Sequence, residues 1–279
     1  MDIKAIAFDL DGTFLSLEKK LIPRNVEAII KAGETGISII PATGRFWKTI
    51  PAELKNLDVV DYIISINGAY VTNIKTDEVI YESTIPYEEA LEIYDYLDTL
   101  NCVYDCYLEN DAYMPTDHKA RFLDYCLDPH FVPLVMNYRN PVDNYKEMIR
   151  IRKAGLQKIQ VHVNDLELKR YLLENLSGMF PDIVATSSVL SNVEINASGA
   201  NKGEALLAIA RHKGISVEQT CGFGDGLNDL ALIKAAGFGV CMENGDPLCK
   251  EAADYIAPHC DEAGVAQVIE KFILQKQCP

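Results

Sequence analysis

The sequence predicts an α/β fold: a Rossmann-like, doubly wound parallel sheet as core, carrying a smaller inserted α+β domain. Three observations predict it. Short apolar runs alternate with helical patterns over the first eighty residues, the same alternation returns toward the C-terminus, and the stretch between has a different texture. At 279 residues the chain has room for two moderate domains. The expected division is 1–83 and 188–279 for the core and 84–187 for the insert.

Lys4 to Phe8 (KAIAF) is a short apolar run closed by Asp-Gly, the pattern of a buried strand. Pro23 opens a helical pattern with Val26, Ile29 and Ile30 on one face, stopping near Gly33. A second strand, ISII (37–40), leads into PATGR, and a helix is expected around Trp47 to Leu57. A third strand, YIISI (62–66), runs into NGA, and residues 69–82 read as a hairpin with a polar turn. From Pro86 to about Phe180 the chain is more acidic and strongly aromatic, with nine of its 14 tyrosines between Tyr87 and Tyr145. Helical patterns at Tyr87–Leu100 and Leu166–Phe180 are interspersed there with the strand-like CVYDCYLE and KIQVHV. After NVEINAS (192–198) come a helix from Lys202, a TCGFGD strand and a helix from Leu227. Strands GFGVCM and DYIAP and a final helix from Val265 complete the pattern.

Composition excludes several function classes. A formal net charge of −15 argues against nucleic acid, whose binding depends on clustered Lys and Arg. It leaves small phosphorylated ligands open, because charges beyond about 8 Å are screened at physiological salt. No apolar run reaches the 18 or so residues of a membrane span. The N-terminus runs straight into a strand without the marks of a secretory signal, and eight cysteines lack metal-ligand or disulfide-scaffold spacing. A cytoplasmic protein with reduced thiols is expected.

Polar residues gather where the predicted core strands end. Asp9 and Asp11 are one residue apart behind the first strand, and strand alternation would project both to one side of its carboxyl end. In an open parallel sheet that edge is where ligands bind. Two like charges about 4 Å apart repel by about 4 kcal/mol at an effective dielectric of 20. The pair must take up a proton, splay apart or share a cation, unless it is simply a polar turn.

Thr43-Gly44-Arg45 follows the second strand, where a hydroxyl and backbone N–H groups at a helix start suit a phosphate oxygen. A plain helix N-cap at Thr43 accounts for it equally. Asn201 and Glu204 resemble a capping box, which puts Lys202 in a first helical turn. A cation there opposes the helix dipole at a cost of about 0.3–1 kcal/mol, and a bound dianion would reverse the sign. In the run from Gly222 to Asp229, Asp225 ends a strand and Asp229 opens the next helix, where acidic residues are ordinary helix chemistry. GFGDGL lacks the final glycine of a dinucleotide-binding loop, and neither a P-loop nor an H-E-x-x-H pair is present. Counted from Asp9, Gly12 and Lys20 fall at the wrong positions for an EF-hand loop.

Taken together these elements resemble the haloacid dehalogenase superfamily of phosphotransferases. The resemblance covers essentially the whole chain and is closest to the Cof-type branch, in which a large α/β cap is inserted between the second and third motifs. It implies that Asp9 is the nucleophile that takes the phosphoryl group, and that Asp11 is the general acid and then the general base. It implies phosphate or substrate contacts at Gly12, Thr43, Gly44, Arg45, Asn67, Lys202 and Asn228. Magnesium would be bound among Asp9, Asp11, Asp225 and Asp229, with Asp229 behind or beside Asp225. Asn67 begins the Asn67-Gly68-Ala69 motif, and Asn228 fits the GDxxND form.

The physics agrees with that assignment. Phosphoryl transfer is mostly positioning plus cationic stabilisation, and Mg2+ prefers oxygen ligands and would relieve the repulsion between the carboxylates. The implied activity is hydrolysis of a small phosphorylated metabolite of the sugar phosphate, pyridoxal phosphate or flavin mononucleotide class. A phosphomutase, a phosphotransferase or a low-turnover phosphate-binding regulator of the same fold are the alternatives. No nucleic-acid or membrane partner is expected.

Overall fold

Ala5–Phe8 forms β1 with all four side chains buried, as a strand covered on both faces of a parallel sheet requires. In the computed structural model, which describes residues 1–129 and 131–275, a wound loop over Leu10–Phe14 follows, then α1 (Pro23–Glu34). Pro23 takes the first position of α1, where a missing N–H is harmless. β2 (Ser38–Pro41) comes next. The helix expected over Trp47–Leu57 is broken, leaving a 3-10 turn at Trp47–Thr49 and a single turn, α2 (Ala52–Lys55). Pro51 between them has no N–H with which to continue a helix. β3 (Tyr62–Ser65), β4 (Tyr70–Asn73) and β5 (Glu78–Glu82) form an antiparallel sheet. The segment around β3 joins β2 through isolated parallel bridges, Ile39 to Val60 and Ala42 to Ile64, rather than through a full ladder.

The chain then enters the second of two structural units, which holds residues 83–200 together with Phe46–Thr49. Its helices are α3 (Tyr87–Leu97), α4 (Thr116–Arg121), α5 (Val132–Tyr138), α6 (Tyr145–Arg152) and α7 (Leu166–Met179). Its strands are β6 (Val103–Leu108), β7 (Asp111–Pro115), β8 (Asn140–Val142), β9 (Lys158–His162), β10 (Ile183–Thr186) and β11 (Asn192–Ala197). They form one sheet in the order β10-β11-β9-β6-β7-β8, antiparallel except between β7 and β8. The expected boundary at 187/188 is therefore displaced. Residues 188–200 belong to the insert, because β11 is paired on both sides within its sheet.

Alternation along these strands separates an apolar row (Cys106, Ile159, Ile195) from a polar one (Asp105, Gln160, Glu194). The polar row is buried, so its charges are paired. Arg139 Nε donates to Asp105 Oδ2 at 2.8 Å, and Lys158 Nζ lies 3.3 Å from Glu194 Oε2. Tyr94, Tyr104 and Tyr145 pack against one another with ring centroids 4.7–5.8 Å apart, so these tyrosines are core packing of the insert.

The remaining chain returns to the first unit as α8 (Lys202–Lys213), β12 (Thr220–Gly224), α9 (Leu230–Ala235), β13 (Phe238–Met242), α10 (Pro247–Ala252), β14 (Tyr255–Ala257) and α11 (Gly264–Val268). The core sheet is parallel throughout, in the order β14-β13-β12-β1-β2. Ile6 and Phe8 pack with α1 and α11 on one face, and Ala5 and Ala7 pack with α8 on the other. The connection from β1 runs outward to β2 on one side, and β12 lies on the other, so strand order reverses beside β1 and opens a crevice at the carboxyl ends.

The α8–α9 contact is close. A Cβ on Gly203 would overlap the Ala231 carbonyl. Gly203→Ala is expected to destabilise the core by about 1–3 kcal/mol through overpacking, read as a lower urea midpoint. An unchanged midpoint would show that the two helices have room to spare.

Candidate active site

β1 ends at Phe8, and its ladder is prolonged by one bond, from Asp9 N to Phe223 O at 3.0 Å. The chain then leaves the strand path. Phe14 N and Leu15 N each bond a carbonyl five residues back, those of Asp9 and Leu10. Gly12 turns the loop at φ +85°, and a Cβ there would lie 2.5 Å from Asp225 Oδ2, so glycine is needed both for the turn and for the approach. Because Asp11 lies in this loop, strand alternation does not govern its direction. Asp9 is buried among charged groups, whereas the half-exposed Asp11 carboxylate is gripped by Arg45, whose Nε and Nη2 donate to its two oxygens at 2.8 and 2.6 Å.

Lys202 brings the chain's distant parts together. Asn201 caps α8 by accepting from Glu204 N at 2.9 Å, which holds Lys202 in the first turn. Its fully buried ammonium donates to Asp9 Oδ1 and Asp229 Oδ1, both at 2.5 Å. The other oxygen of Asp229 accepts from the N–H groups of Asp225 and Gly226, each at 3.0 Å. Asp9, Asp225 and Asp229 present oxygens all within 4.8 Å of one another. Three carboxylates thus cluster beside one ammonium, which is bonded to two of them. Burial, reinforced by Asp229 and Asp225, pushes the Asp9 carboxyl well above the usual carboxylate range despite Lys202. Burial likewise raises Asp225 to about 6, against the bond it accepts from Thr13. Burial alone would lower the Lys202 ammonium, but Asp229 and Asp9 more than offset that and keep it charged.

The other predicted residues form a second group. Thr43 is buried, and its hydroxyl accepts from Arg45 N at 3.2 Å, a local turn rather than a helix N-cap, since no α-helix begins there. Asn67 N donates to Thr43 O at 3.1 Å, and Ile66 N to Arg45 O at 3.0 Å. Ile66, Asn67 and Gly68 all have positive φ, a strained run for a β-branched residue. Gly68 is packed against the Asn201 carbonyl at the start of α8. A Cβ on Gly44 would lie 2.6 Å from Asn67 Oδ1, and Asn228 Nδ2 reaches the same oxygen at 3.5 Å. The structure therefore brings all the predicted residues into one unit, as a carboxylate group and an adjoining Thr43–Asn67–Asn228 group.

A haloacid dehalogenase-like hydrolase family model matches residues 6–269. The chain belongs to the haloacid dehalogenase-like hydrolases. It is 30% identical over 274 residues to 5-amino-6-(5-phospho-D-ribitylamino)uracil phosphatase YcsE of Bacillus subtilis, covering 98% of this chain and 97% of that one. It is 26% identical to pyridoxal phosphate phosphatase YbhA of Escherichia coli, over 98% of this chain and 100% of that one. Among solved structures, the subclass IIB sugar phosphatase BT4131 superposes with a TM-score of 0.78 at 27% identity, covering 96% of this chain and 98% of its own. Among the described residues no helix is long and apolar enough to cross a membrane.

Two residues that bond the site's loops in this hydrolase were not singled out from sequence. Thr13 is buried and donates from its hydroxyl to Asp225 Oδ1 at 2.6 Å, and Asn244 donates to the Gly12 carbonyl at 2.7 Å. Thr13 stood within the Asp-Leu-Asp-Gly-Thr pattern, whereas Asn244 reads locally as an ordinary turn residue.

The carboxylate group suits Mg2+. It offers oxygen ligands, as a hard cation demands, and carries two more negative charges than Lys202 neutralises. Asp9 and Asp225 are the residues that would hold the ion, because both oxygens of Asp229 are already engaged and the Asp11 side chain is on Arg45. Protons compete with a cation for such ligands. Both would-be ligands are raised, Asp225 to about 6 and Asp9 well above the usual carboxylate range, so Mg2+ affinity should fall as pH falls, by about tenfold per unit for each proton displaced. Isothermal titration calorimetry from pH 7.5 to 5 checks this, and a pH-independent affinity would contradict it.

Proposed function

We propose that this enzyme hydrolyses a small phosphorylated metabolite with Mg2+ through a phosphorylated Asp9. It is a phosphatase of its family. The names of its relatives, which include pyridoxal phosphate, sugar and phosphoribitylaminouracil phosphatases, support that substrate class. The observation that carries the mechanism is Asp9 itself, a buried carboxylate with Lys202 on one oxygen and surplus negative charge around it.

Lys202 fixes Asp9 by Oδ1, so Oδ2 is the oxygen that attacks phosphorus. The P–O bond to the leaving alcohol breaks as the new Asp9 O–P bond forms, and protonated Asp11 gives its proton to the departing oxygen. Arg45 holds both oxygens of the Asp11 carboxylate, and in the acid form it keeps one of them, so that the other carries the proton in a set direction. Water then attacks phosphorus, Asp11 takes a proton from it, and the Asp9–phosphorus bond breaks to release phosphate. Splitting one hard displacement into two easier ones is the advantage of a carboxylate nucleophile. Bound Mg2+ would supply positive charge to the transferring group.

Hydrolysis of p-nitrophenyl phosphate tests this reading. Activity should vanish in EDTA and return with Mg2+. Asp9→Asn should reduce turnover to background in a folded protein, and Asp11→Asn should cost about 10²–10⁴-fold. Wild-type turnover by Asp9→Asn, with reversion and deamidation excluded, would overturn covalent catalysis at Asp9.

The inserted unit is proposed to select the leaving alcohol, since the predicted chemistry-bearing residues all lie outside it. A phosphate grip cannot distinguish one monoester from another. Exchanging residues 83–200 for the cap of a relative with another preference should transfer the ranking of kcat/KM across a panel of phosphates. A folded, active chimera that kept the original ranking would refute the division of labour.

A further inference from the structure

The loop after β13 bonds both catalytic loops. Asn244 Nδ2 donates to the Gly12 carbonyl at 2.7 Å, and Asp246 N donates to the Asp225 carbonyl at 2.8 Å. Between them Gly245 is pressed close, such that a Cβ on it would lie 2.6 Å from Cys241 Sγ and 3.1 Å from Asp225 O. The loop is itself anchored. Asn244 Oδ1 accepts from Cys260 N at 3.0 Å, Glu243 N donates to Ala257 O at 2.9 Å, and Asp246 Oδ1 accepts from Leu248 N at the start of α10. The β1–β12 ladder stops at Asp9 N, so pairing within the sheet no longer sets the separation of residues 10–14 from 225–229.

We propose that Asn244 is a positioning residue that clips the loop carrying Asp9 and Asp11 to the loop carrying Asp225, and so sets the size of the cation pocket. The inference rests on the reading of Asp9 and Asp225 as Mg2+ ligands. An amide suits the place because it donates to Gly12 O and accepts from Cys260 N at once, which neither a carboxylate nor an alkyl side chain does. Loss of the bond to Gly12 leaves the Thr13 hydroxyl on Asp225 Oδ1 to hold a loop whose glycine lies against the same carboxylate, so the spacing of the two ligands is less firmly fixed. Mg2+ demands near-ideal octahedral geometry and tolerates such loosening poorly.

The test uses Mg2+ binding to the full-length, substrate-free protein at pH 7.5 by calorimetry, alongside kcat and KM for p-nitrophenyl phosphate at saturating Mg2+. Asn244→Leu removes both hydrogen bonds. Asn244→Asp keeps the bond from Cys260 N and loses only the donor to Gly12. Both variants should bind Mg2+ about 10–100-fold more weakly, the usual range for residues that support metal ligands, with kcat reduced and KM nearly unchanged. The aspartate variant is decisive, because added negative charge alone would tighten Mg2+ binding. Should the leucine variant fail to fold, the aspartate variant carries the test. Mg2+ affinity and kcat equal to wild type, with only a lower Tm, would reduce Asn244 to a structural turn residue and overturn the proposal. Absence of Mg2+ binding by the wild type would overturn it too, by removing the site on which it depends.

Discussion

Three carboxylates crowd together beside one buried ammonium that bonds two of them, and most of the core is arranged to make that tolerable. Lys202 is fully buried and spans to Asp9 beyond β1 and to Asp229 beyond β12, residues far apart in sequence. Ions removed from water cost several kcal/mol each unless they are paired and hydrogen-bonded. Here the pairing is incomplete by two charges, so the site is strained toward protons or a divalent cation. The raised carboxyls of Asp9 and Asp225 express that strain. Backbone donors on Asp229, the Thr13 hydroxyl on Asp225 and the capped start of α8 hold the charges in place. The parallel sheet contributes rigidity, since β1 and β12 are neighbours with fixed register and both end at the same edge.

Much of this was legible in the sequence because it depends on local pattern. KAIAF, TCGFGD and GFGVCM are apolar runs closed by polar or glycine residues, and all became core strands. Their ends were therefore readable as ligand edges, which is how Asp9, Thr43 and Asp225 could be named. The direction of Asp11 was not readable, because it depends on a loop wound by Gly12 and not on strand alternation. The helix over Trp47–Leu57 failed because Pro51 outweighed an otherwise helical pattern. NVEINAS reads as a strand, but its residues carry no mark of the sheet it joins, so the second boundary came out thirteen residues early. Asn244 was invisible for a related reason, as one polar residue in a turn whose partners, Gly12 and Cys260, lie 232 and 16 positions away in sequence.

The site residues all belong to one unit, yet the chain passes between the units at four peptide bonds: 45–46, 49–50, 82–83 and 200–201. Two of those crossings adjoin residues of the candidate site. Arg45 is the last residue before the first crossing and holds both oxygens of Asp11. Phe46, the next residue, is buried in the inserted unit, where its ring lies 5.3 Å from that of Tyr107 and 5.6 Å from the Arg139 guanidinium. At the last crossing, Asn201 caps the helix that carries Lys202. Insertion at these points constrains the design of the enzyme. An insert that selects substrate can vary in sequence and packing only as far as its first and last residues leave Arg45 and Asn201 in place. On the proposed division of labour, specificity and chemistry are separable in residues, but not in backbone.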